Sequence, residues 1–258
     1  MGAPALAEAI TRIEARYGTR AVVRGDLAEC QDAQRRIHTG TSLDRVTGGG
    51  IRAGEPLAFI GPLTAGKQAL ALTVAAAAQY LGGMVAWIDP SASFDPLAAL
   101  HAGVDLERLI VVRVREPEEV LLAGSAVLRS EGFRLAVVDL GPSFASRCTI
   151  DDLAPLLPVV RGSPAALVIV AEGPHASGAS VGTEQARGRR LLLPTVRVDP
   201  IGWQTRFGRT VGWSFAAGAS TSSERALFCI SALEATPSDL GMRTEFVEQV
   251  PSAMEQAS

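Results

Sequence analysis

Gly61, Pro62, Leu63, Thr64, Ala65, Gly66, Lys67 and Gln68 follow a strand-like run from Pro56 to Ile60 and open an alanine- and leucine-rich helical run from Ala69 to about Tyr80. Strand, glycine-bounded loop, lysine, then helix is the context of a phosphate-binding loop. The glycines let backbone N–H groups turn inward around phosphate oxygens. The helix N-terminus adds unpaired donors and a partial positive charge. Gly61 through Ala69 are therefore the expected nucleotide-binding stretch, with Lys67 reaching the β- and γ-phosphates. Lys67 is the only lysine in the chain, which argues against a chance placement. One position departs from the pattern. A serine or threonine belongs after the lysine, because its hydroxyl binds Mg²⁺. Here Gln68 offers an amide oxygen, a poorer and longer substitute. The plainer alternative is a glycine-rich strand–helix turn that holds no ligand.

The 258 residues suffice for one large α/β domain with small appendages. Hydrophobic residues make up 47% and charged residues 20%, which excludes a disordered chain. Aromatics are only 5%, so the core rests on Ala, Val, Leu and Ile. A net charge of −3 neither requires nor excludes nucleic acid, since a local basic groove can bind DNA on an acidic protein. Cys30, Cys148 and Cys229 are far apart and show no metal or disulfide spacing, which suits a reducing cytoplasm. No signal peptide is read ahead of the first helix. The apolar stretch from Ala69 to Ile88 is interrupted by Gln79, Gly82 and Gly83, and reads as a buried helix and strand rather than a membrane span.

Along the chain, residues 4–17 are expected to form a helix with Leu6, Ile10, Ile13 and Tyr17 on one face, ended by Gly18. Such a helix packs on its own core or on another chain. Residues 20–40 read as a linker or a partial helix around 28–36. Strands are expected at 84–89, 109–113, 135–140 and 166–171, and helices at 94–101, 116–130 and 150–160. That alternation implies a mostly parallel sheet covered on both faces. Residues 173–191 turn glycine- and serine-rich, then basic at Arg187, Arg189 and Arg190. Short strands at 195–198, 209–215 and 225–230 read as an antiparallel extension. The organisation expected is a docking arm over 1–37, a core over 38–250 and a flexible tail over 251–258.

Other candidates are weaker. His175 has no nucleophile partner at a recognisable elbow and reads as a loop residue. Asp89, Asp95 and Asp139 look like a metal cluster on paper, but caps and turns account for the first two. Trp203, Phe207 and Trp213 alternate with Arg206 and Arg209, either a stacking surface for single-stranded nucleic acid or an edge of the core.

The chain resembles the bacterial RecA recombinases across nearly the whole RecA core. The residues carrying the resemblance are the helix from Ala9 to Gly18, the segments Thr39–Asp44 and Gly48–Gly54 leading to the loop, the run from Trp87 to Pro96, the run from Gly103 to Leu109, and Asp139 where the family has its Walker B aspartate. The resemblance implies an α/β RecA-like P-loop NTPase core: a mostly parallel central sheet flanked by helices, an antiparallel extension, and a preceding helix that docks on a neighbouring subunit through Leu6, Ile10, Ile13 and Tyr17. By the same comparison the family's large C-terminal domain is missing. Asp139 joins the expected nucleotide site, and Arg187, Arg189 and Arg190 fall in the place of the second DNA-binding loop.

The departures fall at the chemistry. The family's catalytic glutamate, two residues after the strand-end aspartate, is Ser91 here, so no carboxylate orients the attacking water. The tyrosine that stacks on adenine aligns with Ala98, which has no π-face. The γ-phosphate-sensing glutamine is Glu172, and a carboxylate there repels a triphosphate. Two lysines that reach a neighbour's nucleotide have no counterpart after Val211, and the first DNA-binding loop looks trimmed. ATP with Mg²⁺ is therefore expected to bind weakly or not at all, and no catalytic residue or metal ligand is assigned. The function implied is an accessory or regulator in DNA repair, recombination or damage-induced (SOS) mutagenesis, as in the ImuA-type mutagenesis accessory proteins. The partners implied are RecA or a related RecA-like subunit, a translesion polymerase and single-stranded DNA, with no membrane. The alternatives are a weak DNA-dependent ATPase that binds single-stranded DNA, and a P-loop ATPase unrelated to DNA.

Overall fold

The computed structural model describes residues 3–17, 35–173, 193–206, 209–220 and 225–231. The chain divides into two units, residues 1–36 and 37–258. In the first, α1 (Ala3–Tyr17) is a single helix bearing an Arg12–Glu8 ion pair at 3.0 Å on its exposed surface. Its Ile13 is 42% exposed. Most of the stretch over 20–40, expected as a linker or a partial helix around 28–36, lies outside the described residues.

The second unit is built on an eight-stranded sheet. Its strands are β1 (Pro56–Gly61), β2 (Met84–Ile88), β3 (Leu109–Val112), β4 (Phe133–Asp139), β5 (Ala166–Glu172), β6 (Thr195–Arg206), β7 (Arg209–Ala219) and β8 (Arg225–Ser231), in spatial order β8-β7-β6-β1-β5-β4-β2-β3. The six from β6 to β3 in that order are parallel, β7 pairs antiparallel with β6, and β8 pairs antiparallel with β7. The central strands β1, β2, β4 and β5 are buried on both faces, so they are almost wholly apolar and the period-2 alternation sorts their side chains between two cores. Val85, Trp87, Leu135, Val137, Val168 and Val170 face α3 (Lys67–Tyr80). Ala86, Ile88, Ala136, Val138, Leu167 and Ile169 face α5 (Pro117–Arg129) and α7 (Leu156–Arg161). α3 buries Leu70, Ala71, Val74, Ala75 and Ala78. Gln79, the polar interruption in that stretch, exchanges two 2.8 Å hydrogen bonds with the Asp105 backbone. Arg108 donates to the Gln79 and Gly83 carbonyls, satisfying the end of the helix.

Three expectations need correction. The single helix over 150–160 is a 3₁₀ turn at Asp151–Leu153 followed by α7. Pro155 lacks an N–H for a continuous ladder and starts the second helix instead. The strand expected at 195–198 continues to Arg206, because an irregularity between Pro200 and Gly202 absorbs the two residues that read as breakers. A short helix, α6 (Gly141–Phe144), directly follows β4 where none was expected. The other short helices are α2 (Leu43–Val46) and α4 (Pro96–His101). Among the described residues no helix is long and apolar enough to cross a membrane.

Candidate nucleotide site

In an open α/β sheet, ligands sit at the carboxyl ends of the parallel strands. β1, β5 and β4 are neighbours there, with Gly61 opposite Glu172 and Asp139 opposite Val170. Strand order therefore gathers three groups that are far apart in sequence: Lys67 from the loop after β1, Glu172 at the end of β5 and Asp139 at the end of β4.

The loop from Gly61 to Gly66 has the tight form the motif predicts. Gly66 caps α3 at φ +93°, and Thr64 adopts φ +62°, a left-handed conformation uncommon for a β-branched residue. The loop is closed from within. Lys67 is only 7% exposed, and its Nζ donates to the Gly61 and Pro62 carbonyls at 2.6 Å each and pairs with Glu172 at 3.4 Å. Burial pulls the Lys67 ammonium below its ordinary range, and Glu172 offsets part of that. Glu172, read from sequence as repelling a triphosphate, is also the lysine's counter-ion.

Gln68 does more than lack a hydroxyl. Its Nε2 donates to Asp139 Oδ2 at 2.6 Å and to Ser93 Oγ at 3.3 Å. Only the NH₂ end of an amide can donate to a carboxylate, so Gln68 turns a donor toward Asp139 where the usual motif has a hydroxyl oxygen to offer a metal. These residues do not fit a divalent cation. Asp139 is almost fully buried, and its Oδ1 has no well-formed hydrogen bond. Burial pushes its carboxyl above the usual range, the Gln68 bond pulls it back, and Asp89 nearby adds to the rise.

Asp89 accepts from the backbone N–H groups of Ser93 and Phe94, and Asp95 caps α4 through the Leu97 and Ala98 N–H groups. Both do the turn and cap work expected of them. Ser91, in place of a catalytic glutamate, donates to the Leu140 carbonyl at 2.8 Å. Ser93, not singled out from sequence, sits between the two carboxylates, its Oγ 3.4 Å from Asp89 and 3.5 Å from Asp139, with one proton to give to either. Its position four residues after Asp89 is a turn spacing, and nothing local pointed to Asp139. Leu63, Thr64, Ala65 and Ala69 line a cavity of about 710 Å³ above the loop. His175, Phe207, Arg187, Arg189 and Arg190 lie outside the described residues. Trp203 is exposed and meets Trp213 edge-on at 4.7 Å.

One pH dependence follows. The folded pKa of Asp139 lies above its unfolded value, so the wild type gains stability as pH falls through that raised pKa, whereas Asp139→Asn does not titrate. The variant keeps an acceptor for Gln68. It is expected to be at least as stable as wild type at neutral pH, with the wild type gaining on it as the solution is acidified. Denaturant midpoints across pH check this, and a variant that is much less stable at neutral pH contradicts it.

The RecA N-terminal domain family matches residues 4–153. Protein RecA of Roseiflexus castenholzii is 34% identical over 157 residues, 60% of this chain and 44% of that protein. Protein RecA of Methylococcus capsulatus is 36% identical over 138 residues, 52% of this chain and 40% of that protein. Protein RecA of Synechocystis is 33% identical over 149 residues, 57% of this chain and 42% of that protein. The chain thus spans less than half the length of these curated relatives.

Proposed function

The chain belongs to the RecA family, and on that premise we propose that it is an accessory or regulatory member acting in recombination, repair or damage-induced mutagenesis, of the ImuA type, without ATP turnover of its own. One observation carries this reading. The positions that would serve phosphate and metal are engaged by the chain itself, Lys67 with the loop carbonyls and Glu172, Gln68 with Asp139. Loss of the catalytic carboxylate at Ser91 points the same way. The partner in this reading is RecA or a related RecA-like subunit, engaged through α1, with a translesion polymerase as the second candidate. The test is RecA-driven strand exchange with this protein added below stoichiometry. The proposal expects inhibition, and unchanged exchange contradicts it.

A second reading, a weak ATPase that binds single-stranded DNA, draws on the exposed Trp203 and on a sequence that sets Arg206 and Arg209 a few residues after it. On that reading Arg187, Arg189 and Arg190 contact phosphates, and binding is weak, non-specific and steeply salt-dependent. Replacing all three with alanine is expected to make the log–log salt dependence shallower by about 2, from roughly 0.7 per phosphate contact on a single strand. Fluorescence anisotropy on labelled oligo-dT measures it, and an unchanged slope excludes these arginines.

A further inference from the structure

The cavity above the loop has the wrong surface for a nucleotide. Among the described residues, three exposed large apolar side chains line it: Leu63 from the loop (57% exposed), Leu97 from α4 (64%) and Trp203 from β6 (71%). Water-exposed apolar groups scattered singly need no explanation, but a cluster around a concave apolar wall marks a binding surface. Phe94 and Trp213 continue that wall inward, both packed against the core and thus held in place.

The charges select the occupant. Among the described residues, the strongly basic side chain on the lining is Lys67, which is buried and paired. His101 is the other basic group there. Against these stand Asp95, exposed at the start of α4, and Glu172, partly exposed at the end of β5. With Glu172 balancing Lys67, Asp95 and the buried Asp139 leave the lining net acidic, which disfavours a polyphosphate or a nucleic-acid backbone and attracts a cation. An apolar centre with a charged rim is the anatomy of a protein interface.

We infer that this cavity docks a segment of a partner protein that inserts large apolar side chains between Leu63, Leu97 and Trp203 and places arginine or lysine beside the exposed Asp95. This rests on the reading above, because a site cycling through Mg·ATP is not available to a protein segment. It adds a second contact surface, separate from α1. The chemistry on offer resembles an amphipathic basic helix laid in a groove.

The test uses the full chain as bait for a phage-displayed random peptide library, with Leu97→Glu as the counter-selection. Leu97 is mostly exposed, so Leu97→Glu is expected to keep the wild-type unfolding midpoint, whereas Trp203→Ala gives up the edge contact with Trp213 and is expected to stay folded with a slightly lower one. Enriched peptides are expected to combine large apolar residues with arginine or lysine. Their synthetic versions are expected to bind either variant at least about tenfold more weakly, as for a buried anchor in an interface. No enrichment, acidic peptides, or equal binding to wild type and variants overturns the inference. So does a wild-type dimer in sedimentation that Leu97→Glu dissolves, since the occupant is then a second copy. Peptide displacement by Mg·ATP overturns the proposed function instead, and failed panning on a chain that also ignores Mg·ATP overturns this inference alone.

Discussion

Gly66→Ala is expected to lower the free energy of unfolding by about 2–5 kcal/mol, a factor of roughly thirty to a few thousand in the folding equilibrium. Two effects add. Gly66 holds φ +93°, where an L side chain costs roughly 1–2 kcal/mol. A Cβ at this position meets the Phe215 ring at 2.7 Å, and Phe215 is fully buried and stacked on Phe228 at 5.4 Å. The ring has nowhere to move, so the second effect is overpacking, roughly 1–3 kcal/mol. At Gly61 an added Cβ runs into the Val198 carbonyl of β6. Both glycines of the motif are therefore required by the fold, whether or not phosphate is ever bound. Urea denaturation of Gly66→Ala against wild type measures the loss, and a change below about 0.5 kcal/mol contradicts the packing described for Phe215.

Ile10→Asp is expected to weaken binding to RecA from the same organism by more than tenfold. Burying an aliphatic side chain is worth about 1.5–3 kcal/mol, and each 1.4 kcal/mol is a factor of ten. Ile10 is partly exposed and Ile13 more so, on a helix whose sequence places Leu6 and Tyr17 in the same stripe. A charge in the middle of that stripe costs the burial and adds desolvation. Interfaces of this head-to-tail kind let one face engage while the other stays open, so a subunit that docks by α1 alone caps a filament. A biolayer titration decides it. If deleting residues 1–18 leaves the protein folded and binding intact, docking by α1 is wrong.

The parallel core was legible because local signals and the tertiary arrangement agree. The strand before Gly61, the glycines, and the Ala/Leu helix after Lys67 all specify the same turn, and both the loop and α3 are where the sequence places them. What Gln68 does was not legible. Its loss of a metal-binding hydroxyl is a one-residue observation, but its bond to Asp139 spans 71 positions and exists only because β1, β5 and β4 lie side by side. The Lys67–Glu172 pair, 105 positions apart, is hidden for the same reason. The apolar content of 150–160 reads as one helix, but Pro155 divides it into a 3₁₀ turn and α7. The long β6 was underestimated because Pro200 and Gly202 are breakers in isolation, while pairing along β7 carries the strand through them.

ATP hydrolysis by the purified full chain, with Mg²⁺ and with or without single-stranded DNA, tests the central claim most directly, with Lys67→Ala as the paired control checked for folding by its unfolding midpoint. With Lys67 held by Gly61, Pro62 and Glu172, and Gln68 closing Asp139, the predicted result is turnover no higher than that of Lys67→Ala under either condition. Turnover near that of an active recombinase, stimulated by DNA and abolished by Lys67→Ala, would contradict the account.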